Sequence, residues 1–275
     1  MAMRTVCFVS DRTGVTAETM GNSLLTQFEG LQFRTITMPF VGSAEQARGV
    51  VGRINAIAQE ERARPIIFCT LIDDEVRAIV KQANGLFLDF FAAFLGPLEV
   101  ELDMESAHAS GRASHGVSGD PAYAARIEAI NYTLSNDDGA GARDYRSAEA
   151  ILLGVSRTGK TPTSLYMAMQ YGIFTANYPL ADEELESDAL PAPLLPYKSK
   201  LYGLTISPDR LQQIRNERRP GSRYASAQQV QYEARTSRNL LERLGIPYID
   251  VTDYSIEEIA SRIIDNMGLA RHARM

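Results

Sequence analysis

The chain has 275 residues, 45% hydrophobic and 23% charged, with a formal net charge of -6 and an isoelectric point near 5.3. That length can bury one large core or two modest ones, and the acidic balance argues against nucleic acid or an anionic membrane as a partner. The two cysteines offer neither a disulfide framework nor metal-ligand spacing, and no run approaches the ~18 apolar residues of a membrane span. The chain enters a strand almost at once, without a signal-peptide pattern, so a cytoplasmic protein is expected.

Arg4 to Ser10 is a short apolar run of β-favouring residues that breaks at Asp11-Arg12-Thr13-Gly14. From Thr16 to Phe28 the residues Ala17, Met20, Leu24, Leu25 and Phe28 recur at helical spacing, with Gly30 as a stop. Gln32 to Pro39 predicts a second strand, and Ser43 to Arg62 a helix opened by the capping-box pattern Ser43-Ala44-Glu45-Gln46. Pro65 to Leu71 is a near-continuous apolar strand of the kind covered on both faces, and Asp73 to Ala83 a helix, followed by the apolar run Leu86 to Phe94. Cys7 and Cys69 fall inside the strands and read as core residues. Strands alternating with helices predict a parallel sheet with right-handed crossovers.

The pattern weakens from Glu99 to Ala122, which reads as an exposed connection; His108 and His115 lie there without companions at metal spacing. Tyr123 to Leu134 predicts a helix running into Asn136-Asp137-Asp138-Gly139. That segment has two readings: a turn between domains, or a carboxylate pair serving as general base or Mg²⁺ ligand.

A second α/β unit opens at Ala148 to Leu165. The apolar run Ile151 to Leu153 leads into Gly154-Val155-Ser156-Arg157-Thr158-Gly159-Lys160-Thr161, which satisfies G-x-x-x-x-G-K-S/T, and a helix follows. This is a phosphate-binding loop in its required context. Its glycines let successive N–H groups turn inward, and the helix presents its positive end to phosphate. Lys160 reaches the terminal phosphate and the Thr161 hydroxyl holds Mg²⁺. Lys81, Lys160, Lys198 and Lys200 are the only lysines in the chain, so a lysine here is not background.

Pro162 falls in the first turn of the helix, where its missing N–H costs little, and Gly172 stops the helix. Ile173 to Tyr178 predicts a strand, and the acidic, proline-punctuated Leu180 to Pro196 a mobile loop that could act as a lid. Lys200 to Ile206 is a strand, and Pro208 to Arg218 a helix carrying Arg210, Arg215 and Arg218, with Arg219 and Arg223 beyond it. These arginines read either as a solvated face or as phosphate ligands. Ser226 to Leu244 is a long helix, Pro247 to Val251 a strand, and Ser255 to Met267 a final helix with the capping box Ser255-Ile256-Glu257-Glu258. Asp250 ends its strand, as a plain turn residue or as a Mg²⁺ ligand.

The sequence also contains an echo. Val9 to Thr16, VSDRTGVT, matches Val155 to Thr161, VSRTGKT, once one residue is skipped, and each copy joins an apolar strand to a helix. Val15 stands where the second copy has Lys160, so Ser10, Thr13, Gly14 and Thr16 form a tight turn or an accessory site for a single anion. The expected architecture is two α/β units with mainly parallel sheets, 1–140 and 141–275, the second a phosphate-loop kinase-like domain.

Five stretches together give the chain a wider resemblance: VSDRTGVTAET, RIEAINYTLSNDDG, GVSRTGKTPTSLY, KLYGLTISPDRLQQIR and IPYIDVTDYSIEEIA. They resemble the bacterial phosphoenolpyruvate synthase regulatory proteins and their relatives that act on pyruvate, phosphate dikinase. Departures fall at Arg12, where glycine is expected, and at Asn136, where histidine is expected. The resemblance implies an ADP-dependent kinase that inactivates the synthase on a threonine. It also implies a phosphorylase that removes that phosphate with inorganic phosphate and releases pyrophosphate. One loop could serve both directions, with Lys160 neutralising the transferred charge, Thr161 ordering Mg²⁺, and Asp137 or Asp138 handling the threonine proton. The synthase is the expected partner and a homodimer the expected assembly. Two other functions are open: an ATP-dependent kinase of a small metabolite, and a nucleotide sensor that regulates by binding alone.

Overall fold

The computed structural model describes residues 3–28, 30–106, 121–137, 145–187 and 189–272. The chain forms two compact units, Met1–Ala113 and Ser114–Met275.

In the first unit, β1 (Arg4–Val9), β2 (Phe33–Met38), β3 (Ile66–Cys69) and β4 (Leu86–Asp89) form a sheet in the order β2-β1-β3-β4, every pair parallel. Helices α1 (Val15–Leu25), α2 (Ala44–Glu61) and α3 (Asp74–Val80) alternate with the strands. Side chains along a strand point alternately to the two faces, so one face buries Cys7, Val9, Ile67 and Cys69 against Ala47, Ile54 and Val76 of α2 and α3. The other buries Val6, Phe8 and Phe68 against Ala17 of α1. Burial pushes the Cys7 thiol up to about 11 and the Cys69 thiol to about 12, so both are core residues, as their context suggests.

The apolar run from Leu86 divides at Asp89, which ends β4 and caps α4 (Phe90–Leu102) by accepting from the Ala92 N–H at 2.9 Å. The stretch expected to be a connection from Glu99 onward therefore begins inside a helix. Local capping, invisible to hydropathy, decides the split.

The second unit contains α5 (Pro121–Ser135), β5 (Ala150–Gly154), α6 (Lys160–Tyr171), β6 (Thr175–Pro179), α7 (Asp182–Glu186), β7 (Leu201–Thr205), α8 (Pro208–Arg218), α9 (Ala227–Leu244), β8 (Tyr248–Asp250) and α10 (Ile256–Met267). The sheet order is β6-β5-β7-β8, again all parallel. Helix α5 lies before position 140 in sequence but packs against α6 and β6, with Tyr132 against Phe174 at 5.2 Å between ring centroids. It is part of the second unit.

The stretch expected to be a mobile lid, Leu180 to Pro196, is instead anchored to the core. Leu180, Leu185, Leu190 and Leu194 are all buried there, and a 3₁₀ segment, Ala192–Lys200, leads into β7. Four buried leucines outweigh the acidic and proline content that suggested a loop.

The two sheets share one strand order. In each, the leading strand has its successor on one side and the third strand on the other, so the order reverses at that strand. Ligand crevices in open parallel sheets form at the carboxyl ends of strands at such a reversal.

Candidate active site at the Gly154–Thr161 loop

Strand β5 delivers the loop from a fully buried position in its sheet. Gly154 is required there, because a Cβ would stand 2.6 Å from the Leu204 carbonyl oxygen and 2.7 Å from Thr158 Oγ1. Thr158, buried, donates from Oγ1 to the Val155 carbonyl at 3.0 Å and pins the inner turn. Gly159 adopts φ +85° and ψ +12°, a left-handed conformation that glycine takes without a Cβ clash, and caps α6. Arg157 also has positive φ, at +79°.

Lys160 is the first residue of α6 and only 4% exposed. Its ammonium donates to the carbonyls of Gly154 at 2.9 Å and Val155 at 3.1 Å, so the charge is held inside the ring of the loop. Thr161 Oγ1 donates to Asp137 Oδ1 at 2.7 Å, and Asn177 Nδ2 donates to the same oxygen at 2.5 Å. Two successive residues at the start of α6 thus face different partners, Lys160 the loop carbonyls and Thr161 a carboxylate just beyond α5. Of the two candidate bases, Asp137 is brought to the loop; Asp138 lies outside the described residues, as do His108 and His115.

Asn177 is a site residue that the sequence reading missed. It is 1% exposed, in the middle of β6, opposite Leu152 of β5. Its signal was a lone amide inside a buried strand. A buried amide needs partners, and the carboxylate of Asp137 is one. The departure at Asn136 has a local account as well: its side-chain amide donates to the Tyr132 carbonyl at 2.9 Å and helps close α5, while its own carbonyl accepts from the Asn177 N–H at 3.4 Å.

The outer wall of the loop is supported by a fully buried arginine. Arg215 of α8 donates to the carbonyls of Ser156 and Tyr224, each at 3.1 Å, and pairs with Glu233 of α9 at 2.6 Å. Its guanidinium lies 4.1 Å from the centre of the Tyr224 ring, and the Tyr224 hydroxyl bonds Ser156 Oγ at 2.8 Å. Arg215 therefore acts on the loop's backbone, while Arg218 and Arg219 are exposed at the end of the same helix.

Asp250 is not brought to this cluster. It ends β8, the edge strand, with β7 between it and β5. One carboxylate oxygen pairs with Arg238 at 2.9 Å and the other accepts from the Thr252 N–H at 3.0 Å. The four accessory residues Ser10, Thr13, Gly14 and Thr16 lie in the first unit, at the turn from β1 into α1.

A model of the kinase/pyrophosphorylase family matches residues 6–264, nearly the whole chain. This chain belongs to the kinase/pyrophosphorylase family. Relatives in Stutzerimonas stutzeri (strain A1501) and Legionella pneumophila (strain Corby) are each 51% identical, over 271 and 268 residues respectively. The alignments cover 98% of this chain and 99% and 98% of those relatives. A Pseudomonas aeruginosa (strain LESB58) relative is 51% identical over 268 residues, 98% of this chain and 97% of its own. All three carry the provisional name phosphoenolpyruvate synthase regulatory protein. Kinase/pyrophosphorylase membership agrees with a parallel α/β fold; no helix among the described residues is long and apolar enough to cross a membrane.

Proposed function

We propose that this chain regulates phosphoenolpyruvate synthase by reversible phosphorylation, using the Gly154–Thr161 loop in both directions. The observation that carries the reading is the bond from Thr161, the residue after the buried loop lysine, to the carboxylate of Asp137. In the kinase direction a threonine hydroxyl of the synthase attacks the β-phosphorus of ADP. The bond from that phosphorus to the bridging oxygen breaks, AMP leaves, and the threonine proton passes to Asp137. In the reverse direction an oxygen of inorganic phosphate attacks the phosphothreonine phosphorus. Pyrophosphate forms in the same cradle, and Asp137 returns the proton to the departing threonine oxygen. Lys160 and the loop N–H groups stabilise the charge on the transferred group in either direction.

The donor set suits Mg²⁺: a hydroxyl whose proton is engaged by a carboxylate turns its lone pairs outward, and Mg²⁺ in phosphate sites takes few protein ligands. Thr161 and Asp137 would hold it, and it would supply charge neutralisation on the phosphates. A cytoplasmic, homodimeric regulator is the form we assign.

Incubation of the purified chain with phosphoenolpyruvate synthase and ADP tests the reading. Mass spectrometry should find one phosphothreonine on the synthase together with stoichiometric AMP. Transfer from ATP to a small molecule, without a modified protein, would establish the metabolite-kinase alternative; nucleotide binding with no transfer at all would establish the sensor. Asp137→Asn should retain ADP binding while transfer falls by about 10²–10⁴.

A further inference from the structure

Asn177 is costly where it stands. It lies in β6, where four of the five residues are buried, and asparagine is disfavoured in strands because its amide competes with the ladder. Burial takes that amide out of water, and only half of the loss is made good. Nδ2 donates to Asp137 Oδ1 at 2.5 Å, whereas Asn177 Oδ1 has no hydrogen-bond partner among the described residues. A strand-favouring apolar residue would avoid all three costs. Departures of this kind from local preference concentrate at functional sites.

What the strand gains is control of one carboxylate. Asp137 lies two residues beyond the last residue of α5, Ser135, so the helix ladder no longer fixes it. Strand β6 ties this segment twice: the Asn177 N–H donates to the Asn136 carbonyl at 3.4 Å, and the Asn177 side chain donates to Asp137. In the register of the sheet Asn177 stands opposite Leu152 and Pro179 opposite Gly154, so the tie is made just before β6 draws level with the first glycine of the loop. From α6, Thr161 Oγ1 donates to the same Asp137 oxygen at 2.7 Å. One bond alone would let the carboxylate pivot. A donor from a strand together with a donor from a helix holds it beside the residue that follows Lys160, and supports borne on regular elements position a group more precisely than loops do.

We propose that Asn177 is a positioning residue for phosphoryl transfer, holding the Asp137 carboxylate in place for the incoming threonine hydroxyl. The inference rests on the proposed function and adds a requirement to that same site. Asn177 acts through Asp137 and takes no part in gripping the nucleotide, so its loss should slow transfer and spare donor binding.

The test measures transfer from ADP to the synthase by the full-length chain, by Asn177→Val, by Asp137→Asn and by the double variant. Asn177→Val should lower kcat by about ten- to a hundredfold while the KM for ADP stays within about twofold. In the Asp137→Asn background the same change should cost no further activity, because its effect runs through the carboxylate; a packing role would cost as much in both backgrounds. Near-ultraviolet circular dichroism checks the fold of each variant, and Asn177→Leu supplies the same comparison where valine leaves the site loose. Unchanged kcat in a folded variant, a tenfold rise in the KM for ADP, or an equal loss in both backgrounds overturns the positioning role and leaves the proposed function standing. No transfer from ADP by the unaltered chain, or full transfer by Asp137→Asn, overturns the proposed function and this inference with it.

Discussion

At the carboxyl end of its leading strand, each sheet sends the chain through a left-handed glycine into a helix, yet the two turns are held by different means. The first is tied by main-chain bonds to the loop after β2: Phe40 N–H to the Arg12 carbonyl and Val41 N–H to the Ser10 carbonyl, each at 2.9 Å. The second is held by charge, with Lys160 bonded from within and Arg215 from outside. In both, a glycine with φ +85° opens the helix. Under the proposed function, the buried Lys160 and the Thr161–Asp137 bond are what the second turn contributes to transfer.

The largest expected effect breaks that contrast directly. Lys160→Ala should lower both the forward and the reverse transfer by about 10³-fold or more, since it removes the cation at the transferred group. Thermal melting should fall modestly, since the buried carbonyls of Gly154 and Val155 lose a charged donor, while circular dichroism should show the fold retained. Retention of either activity in Lys160→Ala would mean that the two directions use different sites.

Arg215→Met sharpens the contrast next. Glu233, 9% exposed, would keep its charge without its partner, and loss of one member of a buried pair costs about 3–5 kcal/mol. Chemical denaturation should show a loss of that size, and Arg215→Met with Glu233→Gln should recover part of it. Amide exchange should rise at Ser156 to Gly159 and remain unaltered at Ser10 to Gly14. An equal rise in both elbows would argue for global loosening instead.

Much of this was legible before any coordinates. Hydropathy period marked the strands, the glycine and lysine spacing marked the turn from β5 into α6, and the Ser255 and Glu258 capping box formed as its pattern predicts. What escaped depends on contacts between distant residues. Asp137 and Thr161 are 24 positions apart and meet only because α5 packs on α6. Asn177 reached Asp137 from 40 positions away, and its only local sign was polarity inside a buried strand. Arg215 looked like one of several surface arginines, although Leu211 one turn earlier is fully buried and marks that face of α8 as inward. The leucines of Leu180 to Leu194 were masked by prolines and acids, because a composition average hides sparse anchors.

The glycines compare the elbows on stability alone. Gly14→Ala and Gly159→Ala each place a Cβ at φ +85°, a cost of about 1–2 kcal/mol. At Gly14 the new carbon also stands 2.8 Å from Thr37 Cγ2, whereas at Gly159 the nearest atom is Ile256 Cδ1 at 3.6 Å. Crowding adds about 1 kcal/mol or more at the first elbow only. Gly14→Ala should therefore melt lower than Gly159→Ala, although only Gly159→Ala should impair transfer. The reverse order of melting would mean that the second elbow is the more tightly packed turn.

The smallest effect is expected at Asp250, and it decides which carboxylate serves the loop. Its ion pair with Arg238 is 44% exposed on each side, a setting in which such pairs contribute up to about 1 kcal/mol. Asp250→Asn should lower stability by no more than that and leave transfer and its Mg²⁺ dependence unchanged, because β7 separates β8 from the strand that carries the loop. A higher Mg²⁺ requirement in Asp250→Asn would assign the metal to the edge strand. The same rise in Asp137→Asn, with Asp250→Asn unaffected, would assign it to the carboxylate that already bonds Thr161.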